Sequence, residues 1–143
     1  MDALKLLTER YSEKKLSAPA PDKHQLTQMF QAALRSPDHG RLQPYRFIVI
    51  EQDKMTELSR LLKSAVHELN LGEERLKKAE TLATRAPMII GVVAKIDPNI
   101  KKVPEWEQLL CAGCATYAIQ LAANALGFKN VWVSGPWLDG SDL

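Results

Sequence analysis

The stretch from Glu105 to about Leu126 constrains this chain more than any other. Leu109-Leu110-Cys111-Ala112-Gly113-Cys114-Ala115-Thr116-Tyr117-Ala118-Ile119-Gln120-Leu121-Ala122-Ala123 is apolar on most faces, and Gly127 is placed to terminate a helix. A helix of that character has to be surrounded. Roughly 20 apolar residues would also suffice to cross a bilayer, but Gln108, Gln120 and Asn124 interrupt the run and no second hydrophobic span accompanies it. The pattern predicts a central core helix. Its small residues let another backbone approach closely, and its remaining apolar faces suit the seam of a dimer.

The other elements arrange themselves around it. Asp2 to Glu9 reads as a short helix, followed by a turn-rich break at Ser17-Ala18-Pro19-Ala20-Pro21. A helix starts near Pro21-Asp22, carries Leu26, Met29, Phe30, Ala33 and Leu34 at helical spacing, and ends at Ser36-Pro37. Tyr45 to Ile50 is β-branched and aromatic, a strand. Amphipathic and charged helices follow over about Met55–Leu69 and Glu73–Thr84, separated by Leu71-Gly72. Met88 to Ala94 is a continuous apolar run that predicts a central strand buried on both faces. Asn130 to Ser134 predicts a third, short strand. Such an order predicts one layered, mixed α/β sheet domain. At the end, Asp139, Ser141 and Asp142 are good helix N-cap residues with no helix after them, so the chain is expected to stop short of its natural fold.

A chain of 143 residues and net charge +2 gives no electrostatic case for nucleic acid or a membrane surface. Asp2, Lys5, Glu9 and Arg10 interrupt any apolar leader, so the expected compartment is the cytoplasm. The two cysteines, Cys111 and Cys114, exclude a disulfide scaffold. Their spacing matches a redox pair, yet they fall well inside the helix rather than at its N-terminus, where the dipole would lower a thiol pKa. They read as buried small hydrophobes. Two cysteines and three scattered histidines are too few for a zinc site, and no metal is expected.

Candidate chemistry lies in two cationic segments. Arg35-Ser36-Pro37-Asp38-His39-Gly40-Arg41-Leu42-Gln43-Pro44-Tyr45 joins a helix to a strand, and Arg10-Tyr11-Ser12-Glu13-Lys14-Lys15 lies near the start. Brought together, they would form an anion site. His39 is the histidine of interest, whereas His24 and His67 fall at exposed helical positions. No Ser-His-Asp arrangement, phosphate loop or dinucleotide glycine fingerprint is present. Trp132-Val133-Ser134-Gly135-Pro136 runs into a tight turn that could bring backbone near a ligand.

Several segments, in order, resemble the flavin-dependent nitroreductases, and are most similar to the small bacterial NAD(P)H nitroreductases of the YdjA type. These are Arg10-Tyr11-Ser12-Glu13-Lys14, Pro37-Asp38-His39 with Gln43-Pro44-Tyr45-Arg46-Phe47, Arg85-Ala86-Pro87, Trp106-Glu107-Gln108, Ala112-Gly113-Cys114-Ala115, and Gly127-Phe128 leading to Trp132 and Ser134-Gly135. The resemblance implies an α+β nitroreductase-like layered fold, with a central mixed or antiparallel sheet flanked by helices and a long buried central helix. It also implies a homodimer with FMN at the subunit interface. Arg10, Tyr11, Ser12 and Lys14 would hold the flavin from one side. Arg35 and His39 would come from the other subunit or an adjacent loop, and Trp132, Val133 and Ser134 would line the ring. Ala122, Ala123, Asn124, Ala125, Leu126 and Gly127 match a segment associated with nicotinamide nucleotide, although a helix C-terminus disfavours phosphate. Family members continue further, into another helix, a strand and an arm around the partner. Residues 1–143 would then be a single domain lacking those elements. Tyr45 stands where the family more commonly has Trp.

The chemistry of the residues is compatible. Arg with a hydroxyl partner suits a dianionic phosphate, and a cation such as Lys14 near flavin N1 would raise its reduction potential. Hydride transfer at N5 needs positioning and no side-chain nucleophile, so no catalytic side chain is expected. The implied activity is ping-pong reduction of nitroaromatic or quinone-like acceptors by NADH or NADPH. A non-enzymatic flavin or nucleotide carrier and a thiol redox protein are the competing readings.

Overall fold

A computed structural model of the chain describes residues 2–143. In chain order its elements are α1 (Ala3–Glu9), α2 (Lys23–Ala33), a 3-10 turn at His39–Arg41, β1 (Tyr45–Glu51), α3 (Met55–Glu68), α4 (Glu73–Leu82), β2 (Met88–Ala94), α5 (Glu105–Ala125) and a 3-10 turn at Pro136–Asp139. They divide into two compact units. One comprises Met1–Ser12, Pro21–Val49 and Ile90–Asn130; the other comprises Glu13–Ala20, Ile50–Ile89 and Val131–Leu143.

In the first unit, polar side chains set the helix starts. The Asp2 carboxylate accepts the Leu4 N–H at 2.8 Å. Asp22 and Gln25 form a reciprocal capping box, with bonds of 2.8 and 2.9 Å. The α5 helix ends as its glycine predicts: Gly127 adopts φ 93°, Phe128 N–H reaches the Ala123 carbonyl at 2.9 Å, and Gly127 N–H reaches Asn124 at 3.0 Å. The core joins Met29 and Ala33 of α2 and Tyr45 of β1 to Cys111, Ala112, Ala115, Ile119 and Ala123 of α5. Phe47 stacks on Phe30 and on Tyr45, with centroids 5.1 Å apart in each pair.

β1 and β2 pair in one two-stranded sheet. Lys95 N–H donates to the Pro44 carbonyl while Gly91 lies against Ile48, so the strands run antiparallel. Three expectations are corrected. The expected strand at Asn130–Ser134 is irregular backbone, because β-rich residues form a strand only where another strand offers a ladder. β2 is half-buried through Val93 rather than buried on both faces, since a two-stranded sheet has no interior strand. α5 is not enclosed: it buries one stripe and leaves Trp106, Leu109, Leu110 and Tyr117 exposed.

In the second unit, Leu62, Ala65 and Val66 of α3 pack with Ala79 of α4 and with Trp137, only 4% exposed. Asn70, at φ 52°, terminates α3, with Leu71 N–H on the Val66 carbonyl at 3.0 Å. Gly72 then opens α4. The would-be N-caps at the chain's end serve α3 instead: Ser141 donates through N–H and hydroxyl to Glu68, each at 3.0 Å, and Ser64 donates to Asp142 at 3.2 Å. Gly140 allows that closure, because a Cβ there would lie 2.5 Å from the Ala65 Cβ and 3.1 Å from its Cα. Gly140→Ala is expected to cost about 1–3 kcal/mol in urea unfolding. Gly91→Ala, whose methyl would meet Ile48 at an ordinary 3.7 Å, is expected to stay within about 0.5 kcal/mol of wild type.

Candidate functional site

The 37–43 loop is organised by one carboxylate. Asp38 accepts the N–H groups of Leu42 at 3.1 Å and Gln43 at 2.8 Å. Gly40, Arg41 and Gln43 all take positive φ, 79°, 53° and 46°. The last two are conformations that ordinary side chains adopt at a cost, and the double cap offsets it. Gly40 rests on Val103, whose Cγ2 would lie 3.2 Å from a Cβ at that position. Val103 is in turn fixed by Gln108, which is 1% exposed. The Gln108 amide donates to the carbonyls of Asp97 and Val103 at 2.9 and 3.0 Å and accepts the Asp97 N–H at 2.8 Å.

This scaffold sets His39 at an open groove of about 220 Å³ with Asp38, Glu107, Leu110, Cys111 and Cys114. His39 Nδ1 lies 2.6 Å from Glu107 Oε2. The Cys111 thiol is pushed up to about 11, first by burial and then by the neighbouring Asp38 carboxylate. Cys114 is exposed, which corrects its reading as a buried residue; Cys111 is buried as expected. A thiol held protonated well above neutrality is a poor nucleophile, so Cys111 lacks the lowered pKa that thiol redox chemistry needs.

A second groove, of about 270 Å³, lies against the C-terminal end of α5. Lys5, Arg10, Tyr11, Asn124, Gly127 and Lys129 are among its lining residues. The Arg10 guanidinium donates to Ser12 Oγ at 3.4 Å and lies 6.0 Å from the Tyr117 ring centroid. Arg10 Nε is buried and has no hydrogen-bond partner. The Lys129 ammonium donates to the Tyr11 hydroxyl. Asn124 donates to the Phe128 carbonyl at 3.0 Å, while its own Oδ1 is buried and unpartnered.

The expected site residues therefore divide. Arg10, Tyr11 and Ser12 come together, and Asn124 and Gly127 share their groove. Around them the carbonyls of Ala122, Ala123 and Asn124 are spent on ending the helix. Ala125 is exposed and Leu126 is half-buried. His39 occupies the other groove. Between Glu107, which holds it, and Tyr117, beside Arg10, the helix axis advances about 15 Å. Arg35 follows α2 and is exposed. In the second unit Lys14, Trp132, Val133 and Ser134 are exposed on irregular backbone. Glu107, named from sequence only within the Trp106-Glu107-Gln108 resemblance, and Lys129 had no expected role; each meets its partner across a separation, 68 and 118 residues, that no local pattern encodes. Among the described residues no cluster of His, Cys, Asp or Glu could hold a metal, and no helix is long and apolar enough to cross a membrane.

The sequence model of the nitroreductase family matches residues 7–139. The chain belongs to the nitroreductase family. It is 64% identical over 143 residues to a Haemophilus influenzae protein provisionally named NAD(P)H nitroreductase, covering all of this chain and 78% of that one. It is 44% identical over 135 residues to the similarly named YdjA of Escherichia coli K12, covering 94% of this chain and 73% of the relative. A nitroreductase-like family protein from Bacillus cereus superimposes with a TM-score of 0.81 at 20% identity, over 100% of this chain and 78% of the other. A nitroreductase with bound FMN from Desulfitobacterium hafniense superimposes with a TM-score of 0.62 at 26% identity, over 89% and 67%. The α+β, nitroreductase-like fold expected from sequence is thus the observed one.

The Cys111 thiol yields a direct test. Because the folded Cys111 thiol titrates above its ordinary value of 9.0, its burial stabilises the fold fully below pH 9.0, and that contribution is lost as the pH rises toward about 11. Brief alkylation of the native protein near neutral pH, read by peptide mass spectrometry, is expected to spare Cys111.

Proposed function

We propose that this chain is an FMN-dependent NAD(P)H oxidoreductase that reduces nitroaromatic or quinone-like acceptors, working as a homodimer with the flavin at the subunit interface. The observation that carries the reading is the Arg10 groove. A buried N–H without a partner costs about 1–3 kcal/mol, and Arg10 Nε is one, on a side chain already paired with the Ser12 hydroxyl. Lys5 and Lys129 add positive charge along the same lining, against a single acid, Glu9. A phosphate with hydroxyl-bearing carbons attached fits that donor set. The FMN-bound relative from Desulfitobacterium supports the choice of flavin, and the names of the close relatives support the nicotinamide donor.

Bound FMN would supply the hydride relay, which is why no side-chain nucleophile is required. Arg10 and Ser12 would bind the phosphate, and Tyr11, tied to Lys129, would wall the groove. The reading takes with it Lys14 and Trp132, Val133 and Ser134 of the second unit, and His39 and Arg35, as further flavin contacts. Ala122, Ala123, Asn124, Ala125, Leu126 and Gly127 remain the candidate nicotinamide segment; Asn124, with its unpartnered Oδ1, is their one side chain able to hydrogen-bond. A homodimer would cover the apolar side chains that α5 exposes: Trp106, Leu109, Leu110 and Tyr117 recur at helical spacing and are 62%, 57%, 61% and 39% exposed.

The purified protein, supplied with FMN and freed of excess, is expected to be yellow and to bleach on anaerobic addition of NADH or NADPH. Retained flavin that neither nucleotide reduces would favour a non-enzymatic carrier. Arg10→Ala is expected to weaken FMN binding by about 1.5–3 kcal/mol, the usual loss for a charge-assisted bond, measured by quenching of flavin fluorescence. An unchanged dissociation constant would remove Arg10 from the site.

A further inference from the structure

Within the flavin reading, and resting on it for the identity of the ligand, we propose that Glu107 is a positioning residue for His39: it holds the imidazole with its proton on Nδ1, so that Nε2 alone meets the bound molecule. The contact is short, 2.6 Å between Nδ1 and Oε2. An ionised carboxylate only accepts hydrogen bonds, so Nδ1 must carry the proton. The other carboxylate of this groove, Asp38, is occupied by the Leu42 and Gln43 N–H groups, which leaves Glu107 as the acceptor for the ring.

Both partners stand on firm supports. Glu107 lies in the first turn of the 21-residue α5, its N–H on the Pro104 carbonyl at 3.0 Å, and its side chain is only 30% exposed. His39 sits on the doubly capped loop, with Gly40 against Val103. The His39 side chain is 59% exposed, and among the described residues Nε2 has no hydrogen-bond partner. A ring fixed through one nitrogen presents the other in a defined direction and role. Neutral, Nε2 accepts a hydrogen bond; charged, it donates one. A ligand carrying hydroxyl groups beside an anionic phosphate, as a ribityl phosphate does, offers a partner for either state. The exchanged tautomer, with the proton on Nε2 of a neutral ring, is the one that Glu107 forbids.

Two measurements test this. Long-range proton–nitrogen correlation spectra of the ligand-free protein, taken where the ring is neutral, are expected to place the His39 proton on Nδ1. Glu107→Ala should release that preference and Glu107→Gln, whose amide oxygen still accepts, should keep it. In FMN titrations Glu107→Ala should raise the dissociation constant at least threefold and Glu107→Gln less than twofold, and Glu107→Ala should add nothing once His39 is already alanine. An Nε2-protonated ring in the wild type, or an equal Glu107→Ala effect with and without His39, overturns the role of Glu107. Wild-type protein that takes up no FMN overturns the flavin reading instead, while the spectra still decide the tautomer.

Discussion

The close approach of α2 to α5 is the contact on which the first unit depends. Ala33 and Ala115 have no exposed surface, and Ala112 and Ala123 have 4% each, so the helices meet through side chains scarcely larger than the backbone. Contact at that range gains dispersion and excludes water, but it leaves no slack for a larger residue. It also fixes α5 as the frame for everything functional. The groove holding His39 is built against the first turns of this helix and the groove holding Arg10 against its last. Gln108 extends the same control to the backbone: three hydrogen bonds from one buried amide hold the 97–103 segment, Val103 supports Gly40, and Gly40 supports the histidine next to it.

What the sequence made legible was what neighbours in sequence determine. Asp2, the Asp22–Gln25 pair and Gly127 carry out capping within a few residues of themselves, and the helices they bound lie close to where the pattern puts them. Asn70 does the same work for α3 at a position where Gly72 drew the attention; asparagine tolerates the left-handed region well enough to take it. The failures concern partners. Val131 to Val133 have strand-forming side chains, but strand formation is decided by what lies alongside. Ser141 and Asp142 have the chemistry of helix caps, yet the Glu68 carboxylate and the Ser64 hydroxyl of α3 satisfied them instead.

The site divides in the same way. Arg10 and Ser12 stand two residues apart, and their pairing is written into that spacing. The Asp38 turn is likewise local, since one carboxylate captures N–H groups four and five residues on. The bond from Glu107 to His39 and the one from Lys129 to Tyr11 exist only because helices bring distant segments together. A glutamate in the first turn of a helix is favoured there by the dipole whatever it faces, so its residue type carries no sign of the imidazole. The exposure of Cys114 was hidden for a related reason. A helix apolar on nearly every side gives no periodicity from which to choose the buried stripe, and the packing of α2 makes that choice.

The separation of Arg10 from His39 bears on how a flavin site could be completed. One protomer sets its Arg10–Ser12 pair beside Tyr117 and its His39 near the start of the same helix, each in an open groove. A ligand held only from the Arg10 side would leave the His39 Nε2 without a partner. Two copies related by a twofold axis meet through the same patch on each. If the exposed side chains of α5 form that patch and the axis lies perpendicular to the helix, the first turns of one α5 lie toward the last turns of the other. The His39 groove of one protomer then moves toward the Arg10 groove of its partner. Covering Trp106, Leu109, Leu110 and Tyr117 would lower the free energy by roughly 25 cal/mol for each Å² of apolar surface removed from water. The same association would pair the four half-sites of a dimer into two equivalent sites. On the proposed function, binding flavin and burying the helix are therefore coupled, and each should strengthen the other.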